Sequence, residues 1–278
     1  MKKIFEYIGI LALFIFSFIF TEKTATVLKE QDEIMIKIKE VQDKYYVEPK
    51  EAVILDNTII PGISGQMVDT SESYYKMKKM GLFNETLLII KEIKPKELLF
   101  NNKNKFVIGG NRSKKEVSLI FLVKNNDYID NLLEILDRNK VPGNIFVTGD
   151  FIEQNNSLIN KMSSNHLIGN LSYNMDYKNS DFIWMSTIIK KFNDNFCYTE
   201  NLDKEVLEVC SRNKSYTVVP TTIIKNKSLM NISKKLNNGD IISIYVNEEN
   251  IKELNMVIKE IKARGKKIVK LDNLLLEK

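Results

Sequence analysis

The sequence is poor in the side chains that most often bind catalytic metal ions. It contains a single histidine, His166, among 278 residues, and its two cysteines are Cys197 and Cys210. A catalytic zinc ion usually takes three protein ligands, mostly histidine together with a carboxylate or a cysteine. One histidine leaves few ways to build such a site, so the composition disfavours a zinc enzyme.

The two cysteines allow at most one intramolecular disulfide. In an oxidising compartment Cys197 and Cys210 could pair, whereas two separate cysteines buried in the core are the simpler interpretation. We favour the simpler interpretation, and the sequence itself does not decide between the two.

The chain also lacks a basic block. Its net charge of +5 comes from lysines dispersed among aspartates and glutamates. Nucleic-acid binding usually needs basic residues clustered on one face, so we expect no nucleic-acid partner and at most a mild attraction to an anionic cell surface. The apolar share of 44% is ordinary for globular proteins and is enough for a substantial core.

A long hydrophobic run is present at the N-terminus. Lys2 and Lys3 precede residues 4–20, which are nearly all apolar apart from Glu6. No small-x-small cleavage pattern follows Phe20, so we predict an uncleaved signal anchor over residues 1–21. Lysines on the cytoplasmic side would place the rest of the chain outside a bacterial-type membrane, or in the medium if the segment is cleaved.

Residues 22–47 are predicted to form a helical stalk. Apolar residues recur in it at spacings of seven, four, three and four, which predicts one helix over residues 22–45. These residues are Val27, Ile34, Ile38, Val41 and Tyr45. The stripe spans about three heptads, so it could pair with a helix of a protein partner or pack on the protein's own domain.

Residues 48–115 are predicted to form a small accessory α+β segment followed by a linker. Asp69 has the character of a helix N-cap, and Glu72 three residues later suggests a capping box. The helix should end at Gly81. Gly109 and Gly110 are not followed by the Gly-Lys-Ser/Thr of a phosphate-binding loop. We assign no chemistry to this segment.

From residue 116 to residue 278 the pattern alternates between apolar strands and amphipathic helices. About seven such β-α units predict an α/β domain with a largely parallel sheet. The pattern does not distinguish a barrel from an open doubly wound sheet. In both architectures, sites lie at the C-terminal ends of the strands.

Several segments of this domain resemble motifs of the polysaccharide deacetylase (NodB-homology, carbohydrate esterase family 4) superfamily. The strand at 117–121 is similar to the family's opening strand, and Asn-Ile-Phe-Val-Thr-Gly at 144–149 is similar to its Phe-Phe-Val-x-Gly. Residues 165–175 follow the family's Gly-His-Glu-Ile-Gly-Asn-His-Thr-x-x-His. Residues 239–242 and 263–271 also resemble the family, whose fold is a distorted (β/α)7-8 barrel.

The family removes acetyl groups from sugars with a divalent metal such as zinc, which polarises the acetyl carbonyl and activates water. By this resemblance the family's metal-ligand positions fall on Val123, Leu171 and Met175. Its catalytic positions fall on Leu122 for the base, on Cys197 in an arginine-containing loop that here reads 197–201, and on Tyr245 for the late histidine acid. No catalytic or metal-binding residue and no cofactor is therefore expected.

Tyrosines at predicted strand ends are the candidates for a sugar-binding groove. Tyr173, Tyr198 and Tyr245 could stack on sugar rings, whereas Trp184 is spaced for core packing. His166 could be a surviving ligand or acid in this groove, although we favour a structural histidine in the turn before a strand.

The sequence therefore favours a catalytically inactive deacetylase-like protein that binds a cell-wall glycan or an envelope partner. One alternative is an active N-deacetylase of peptidoglycan or chitooligosaccharides with unusual metal ligands. The other alternative is a structural scaffold that acts through the stalk at residues 22–45.

Overall fold

A computed structural model describes residues 2–123, 125, 127–189 and 196–278. Within them, the helices are α1 (Lys2–Gln31), α2 (Glu33–Gln42), α3 (Thr70–Met80), α4 (Ile129–Arg138), α5 (Gly149–Gln154), α6 (Asn156–Ser163), α7 (Asn179–Ile189), α8 (Lys204–Arg212), α9 (Ser228–Lys234), α10 (Glu248–Ala263) and α11 (Leu271–Leu274). The strands are β1 (Val53–Leu55), β2 (Thr58–Ile60), β3 (Gly65–Val68), β4 (Ile90–Ile93), β5 (Phe106–Val107), β6 (Glu116–Val123), β7 (Asn144–Val147), β8 (Leu167–Asn170), β9 (Phe196–Tyr198), β10 (Tyr216–Val218), β11 (Thr222–Ile224), β12 (Ile241–Tyr245) and β13 (Lys267–Ile268).

The chain divides into two compact units. The smaller unit comprises Met1–Pro49 and Ser64–Ile93, and the larger unit comprises Lys50–Ile63 and Lys94–Lys278.

Helix α1 contains the hydrophobic run of the smaller unit. Its residues Gly9–Gln31 form a helix that is long and apolar enough to cross a membrane, judged by length and composition, and none of the side chains described there is buried. The helix passes residue 21 without a break. The hydroxyls of Thr21 and Thr24 donate to the carbonyls of Ser17 and Phe20, one turn earlier, so these polar side chains are satisfied inside the helix.

The stalk is interrupted, contrary to the prediction of one helix over residues 22–45. Asp32 has an extended backbone, and its side chain accepts a hydrogen bond of 3.0 Å from the amide of Ile34. Lys78 and Tyr74 of α3 also bind the Asp32 carboxylate. Aspartate is a strong N-cap, so it begins a new helix here and ends the continuous stripe.

The apolar stripe of the stalk packs within its own unit over most of its length. Ile34 and Ile38 of α2 are buried in one cluster with Val68 of β3 and Met77 of α3. Val27 on α1 is instead 53% exposed. For α2 the structure thus favours packing on the protein's own domain over pairing with a partner helix, because this chain already covers the apolar face of α2.

Helix α3 begins and ends where the sequence predicts. Asp69 accepts a hydrogen bond of 3.0 Å from the amide of Glu72, and Gly81 follows the helix with a φ of 72°. The reciprocal half of the capping box is absent because the Asp69 amide donates to the Ile89 carbonyl instead. This bond continues the pairing of β3 with the antiparallel strand β4.

The larger unit is built on a mixed sheet that curls into a half-barrel. The strand order is β1-β2-β5-β10-β9-β8-β7-β6-β12-β11, and β13 also pairs with β6. All neighbouring strands are parallel except β1 and β2, which form an antiparallel hairpin. The predicted α/β class and deacetylase-type distorted barrel are confirmed.

The boundaries expected for an accessory segment at 48–115 differ from the observed ones. Strands β1, β2 and β5 extend the large sheet, and residues 64–93 join the smaller unit with the stalk. Backbone hydrogen bonds hold the extension in place, from Phe106 to Asn57 and from Ile108 to Ile59. Strands of two or three residues leave almost no periodic pattern, so the sequence does not reveal that they pair with the large sheet.

Strand β6 separates two cores. Its side chains alternate between the two faces of the sheet, as in any strand. Phe121 and Val123 pack in the cluster that includes the helices outside the sheet, whereas Ile120 and Leu122 belong to the cluster inside the half-barrel. We call the second group of residues the interior cluster, and it is the part of the fold that the candidate site adjoins.

Cys197 and Cys210 form a disulfide, so our interpretation of two separate core cysteines is wrong. The bond joins β9 to α8 across a Cα–Cα distance of 6.3 Å, and both residues are fully buried. They pack with Tyr177, Phe182 and Val206. Sequence spacing carries no information about this pairing because it depends on how α8 folds back onto β9.

Replacing both cysteines by alanine should lower the free energy of unfolding by about 3 kcal/mol, because the disulfide closes a loop between residues 13 positions apart. Urea unfolding of the wild type and of the C197A/C210A variant measures this difference. Thiol titration of the denatured, unreduced wild type should find no free cysteine. Two free thiols, with equal unfolding midpoints, would show that the bond does not form.

Candidate functional site

The carboxyl ends of four strands converge on the interior cluster. Leu122 of β6 pairs in register with Tyr245 of β12. Leu171 follows β8, Tyr198 ends β9, and both belong to the interior cluster with Leu122, while Tyr245 packs against it. The structure therefore brings together most of the positions to which the resemblance assigns the family's chemistry.

Apolar packing fills this region. Leu122 is 7% exposed and Leu171 is fully buried, while Met175 is partly buried and packs against the same cluster. Val123 points to the opposite face of the sheet, where it joins the core beneath the helices. The four positions expected to hold a base and a metal ion thus contribute side chains to the two hydrophobic cores.

Tyr198 lies inside the protein. It is 1% exposed, its ring packs against Phe146 at a centroid distance of 5.9 Å, and its hydroxyl donates to the Ser243 hydroxyl at 3.0 Å. Burial raises the pKa of its hydroxyl far above the usual range. In contrast to the prediction, the ring is covered by protein and belongs to the core rather than to a groove wall.

Tyr245 remains accessible. It is half-buried, its hydroxyl donates to a carboxylate oxygen of Glu200, and the Lys225 ammonium lies 5.7 Å from its ring centroid. The hydrogen bond to Glu200, aided by burial, raises the pKa of Tyr245 to about 12. A cavity of about 200 Å³ opens beside it, lined by Leu122, Val123, Asn125, Tyr245 and Val246.

Tyr173 forms a separate aromatic pair in the loop after β8. Its ring meets that of Trp184 edge to face at 5.8 Å, and its hydroxyl donates to Glu153 at 2.8 Å. Trp184 is 38% exposed, so it lies at the surface rather than in the core, where its spacing predicted it. A side chain at Gly149 would lie 2.5 Å from the Tyr173 ring, which explains why a glycine is needed there.

His166 lies at the other end of β8, immediately before its first residue. The imidazole is buried, its Nδ1 accepts a hydrogen bond of 3.1 Å from the Gly143 amide, and its Nε2 is 3.7 Å from Asp137. Burial lowers the pKa of His166, which favours the neutral ring. The structure does not bring His166 to the tyrosines at the carboxyl ends of the strands, and its bond to Gly143 favours the structural interpretation.

The side chains at the family's metal positions do not fit a divalent cation. Val123 and Leu171 have no donor atom, and the thioether of Met175 suits soft ions rather than zinc-like ones. In the part of the chain that the structure describes, no group of three or more histidine, cysteine, aspartate or glutamate residues could hold a metal ion. Glu200 lies near the site, and Tyr245 already binds its carboxylate.

The loop that follows β8 is held by a residue that the sequence analysis missed. The hydroxyl of Tyr177 donates to the Tyr198 carbonyl at 2.6 Å and accepts from the Tyr198 amide at 3.1 Å. Ser172, Met175 and Tyr177 all have positive φ angles, a costly conformation for residues other than glycine. No sequence signal marks this arrangement, because the partner is the backbone of a distant strand.

If Leu171 serves packing alone, Leu171→Ala should lower the free energy of unfolding by about 2–5 kcal/mol, the cost of a buried cavity. Leu202→Ala is the matched control because Leu202 is 54% exposed in the same unit, and surface changes cost within about 0.5 kcal/mol. Urea unfolding measures both variants. Equal losses of stability would contradict the packing that the structure shows.

The comparisons with known proteins agree with this geometry. Residues 109–238 match the pattern of the polysaccharide deacetylase family. The uncharacterized protein YlxY of Bacillus subtilis (strain 168) is 27% identical over 266 residues, which cover 87% of this chain and 83% of that protein.

Two solved structures share the fold. One is wild-type BA3943, a CE4 family pseudoenzyme from Bacillus anthracis, with 22% identity, a TM-score of 0.66, and coverage of 89% of this chain and 96% of that chain. The other is a BA3943 mutant with restored enzymatic activity, with 21% identity, a TM-score of 0.66, and coverage of 88% and 99%. These comparisons support a polysaccharide deacetylase domain at residues 109–238 and a divergent member of that family.

Proposed function

We propose that the protein is a catalytically inactive, membrane-anchored member of this family that binds a cell-envelope glycan at the carboxyl ends of its strands. The observation that carries this proposal is the apolar character of the family's base and metal positions, Leu122, Val123, Leu171 and Met175. No metal cofactor is part of the proposal.

Deacetylation requires groups that these positions lack. A general base must accept a proton from the attacking water, and the Leu122 side chain has no atom that can do so. Tyr245 stands at the position of the family's acid, but its pKa of about 12 leaves it a weak proton donor at neutral pH. The nearby Glu200 carboxylate accepts the Tyr245 hydroxyl, so it is not held ready to activate water.

The similarity to BA3943 supports an inactive role. That protein is described as a pseudoenzyme, and a mutant of it as having restored enzymatic activity. The same fold therefore exists without catalysis. We extend this to the present chain because its own residues at the site are unsuited to the reaction.

Aromatic side chains at the carboxyl ends of the strands support glycan binding. Tyr245 presents a half-buried ring beside a cavity, and the Tyr173–Trp184 pair lies in the loop after β8. Aromatic rings combine a large apolar face with a polar edge, which suits the mixed surface of a sugar ring. Tyr198 is excluded from this role by its burial.

Two observations support an extracytoplasmic location. Helix α1 is long and apolar enough for a membrane anchor. The Cys197–Cys210 disulfide is a bond that persists in oxidising compartments and is rare in the cytosol. We therefore place the larger unit on the outer face of the membrane in this proposal.

As a second partner we propose an envelope protein, which would bind the stalk rather than the glycan site. The apolar side chains of α2 are buried within the smaller unit. A partner helix would thus have to use α1, where Val27 and Leu28 are 53% and 64% exposed.

The activity test uses the full-length protein in an uncharged detergent. We expect no acetate release from N-acetylglucosamine oligosaccharides or peptidoglycan after incubation with zinc, cobalt or nickel, because no group activates water. Metal-dependent acetate release above the detergent blank would establish the active alternative.

The binding test is retention of the same protein on insoluble peptidoglycan. Tyr245→Ala should weaken retention about fivefold, the equivalent of about 1 kcal/mol for one lost aromatic contact. Phe100→Ala is the control because it removes a ring that is 70% exposed elsewhere in the same unit. Equal retention of the two variants would contradict a glycan site at Tyr245.

A further inference from the structure

A second cavity lies at the opposite end of the sheet, where the strands begin. It has a volume of about 610 Å³ and is formed by the residues at the start of β6, those around β13 and those in and after α11. Its lining residues are Lys114, Lys115, Glu116, Gly265, Lys267, Val269, Asn273, Leu276 and Lys278. The volume falls within the range of about 300–1,000 Å³ that is usual for ligand sites.

The lining of this cavity is basic. It contains four lysines and one acidic residue, Glu116. The parallel pairing of β13 with β6 brings Lys115 and Lys267 together, since the Lys267 amide donates to the Lys115 carbonyl at 2.8 Å. None of the four lysines takes part in an ion pair with another described residue. The fold therefore concentrates positive charge that is dispersed in the sequence.

Lys114 is partly removed from water. Its residue is half-buried, and its ammonium donates to the carbonyl of Leu276. Burial lowers the pKa of Lys114, against the opposing influence of Glu116 and Glu277. A charged group with a carbonyl but no carboxylate in contact is one that a bound anion would stabilise.

We propose that this cavity binds phosphate groups, carried either by an anionic polymer or by a lipid headgroup. Lysine binds phosphate as a point charge, whereas planar carboxylates are matched best by the forked arginine side chain. The lining contains lysines and no arginine. Several lysines around one cavity also focus the field that attracts an anion.

This proposal is independent of the glycan site. Residue Lys115 precedes β6, whereas Leu122 and Tyr245 end β6 and β12. Substitutions at one end of the strands can therefore be tested without altering the other end.

The test measures binding of fluorescein-labelled inorganic polyphosphate to the full-length protein in an uncharged detergent, by fluorescence anisotropy over a range of salt concentrations. Lys115→Gln/Lys267→Gln should weaken binding about tenfold or more and reduce the salt slope by about 0.7 per lysine removed. Lys204→Gln/Lys259→Gln removes the same charge from exposed positions on α8 and α10. This control should stay within about twofold of the wild type.

A competition arm with mixed micelles distinguishes the two sources of phosphate. Displacement of the polymer by micelles that contain phosphatidylglycerol, but not by micelles of the uncharged detergent alone, supports the proposal and points to a lipid headgroup. Binding of the polymer that both kinds of micelle leave unchanged supports the proposal and points to an anionic polymer. Equal losses in the two double variants, or no binding by the wild type at low salt, would overturn the proposal.

Discussion

Leu122 and Leu171 belong to one apolar cluster with Phe146 and Tyr198, and this cluster fills the half-barrel where its strands end. The curved sheet encloses a space that must be filled, because protein interiors are packed as densely as organic crystals. In this chain leucine, methionine and tyrosine side chains fill it. The same side chains stabilise the domain and remove the donor atoms that metal-assisted hydrolysis needs.

Apolar side chains at these positions also lower the cost of burial. Carboxylate and imidazole groups in a buried site are costly unless a metal ion or a hydrogen-bonding partner compensates them. Apolar residues at the same positions need no such compensation when they are buried in a core. The polar groups that remain are satisfied locally, as the Tyr245–Glu200 and Tyr198–Ser243 hydrogen bonds show.

The features with a regular pattern could be predicted from the sequence. Alternation of strands and helices gives the α/β class, and Asp69 and Gly81 mark the ends of α3 as observed. The resemblance of residues 144–149 and 165–175 suggests the family and assigns two of its catalytic positions to Leu122 and Tyr245. The structure places these two residues opposite each other on β6 and β12.

The remaining features depend on long-range contacts. Strand β5 has two residues, and its pairing with β10 leaves no periodic signal. Three further features join segments that are separated along the chain. They are the Cys197–Cys210 bond, the hydrogen bonds of Tyr177 to β9, and the basic cavity at the start of the strands. Tyr198 is a tyrosine at a strand end, as a groove residue would be, but it is buried because it packs in the interior cluster against Phe146.

Metal stoichiometry tests the central claim most directly. The full-length protein would be incubated separately with zinc, cobalt and nickel, freed of unbound ions, and analysed by mass spectrometry for metal per chain. We expect well under one ion per chain in every case, because the family's ligand positions carry Val123, Leu171 and Met175. One tightly held ion per chain would contradict it and would require a set of ligands other than these.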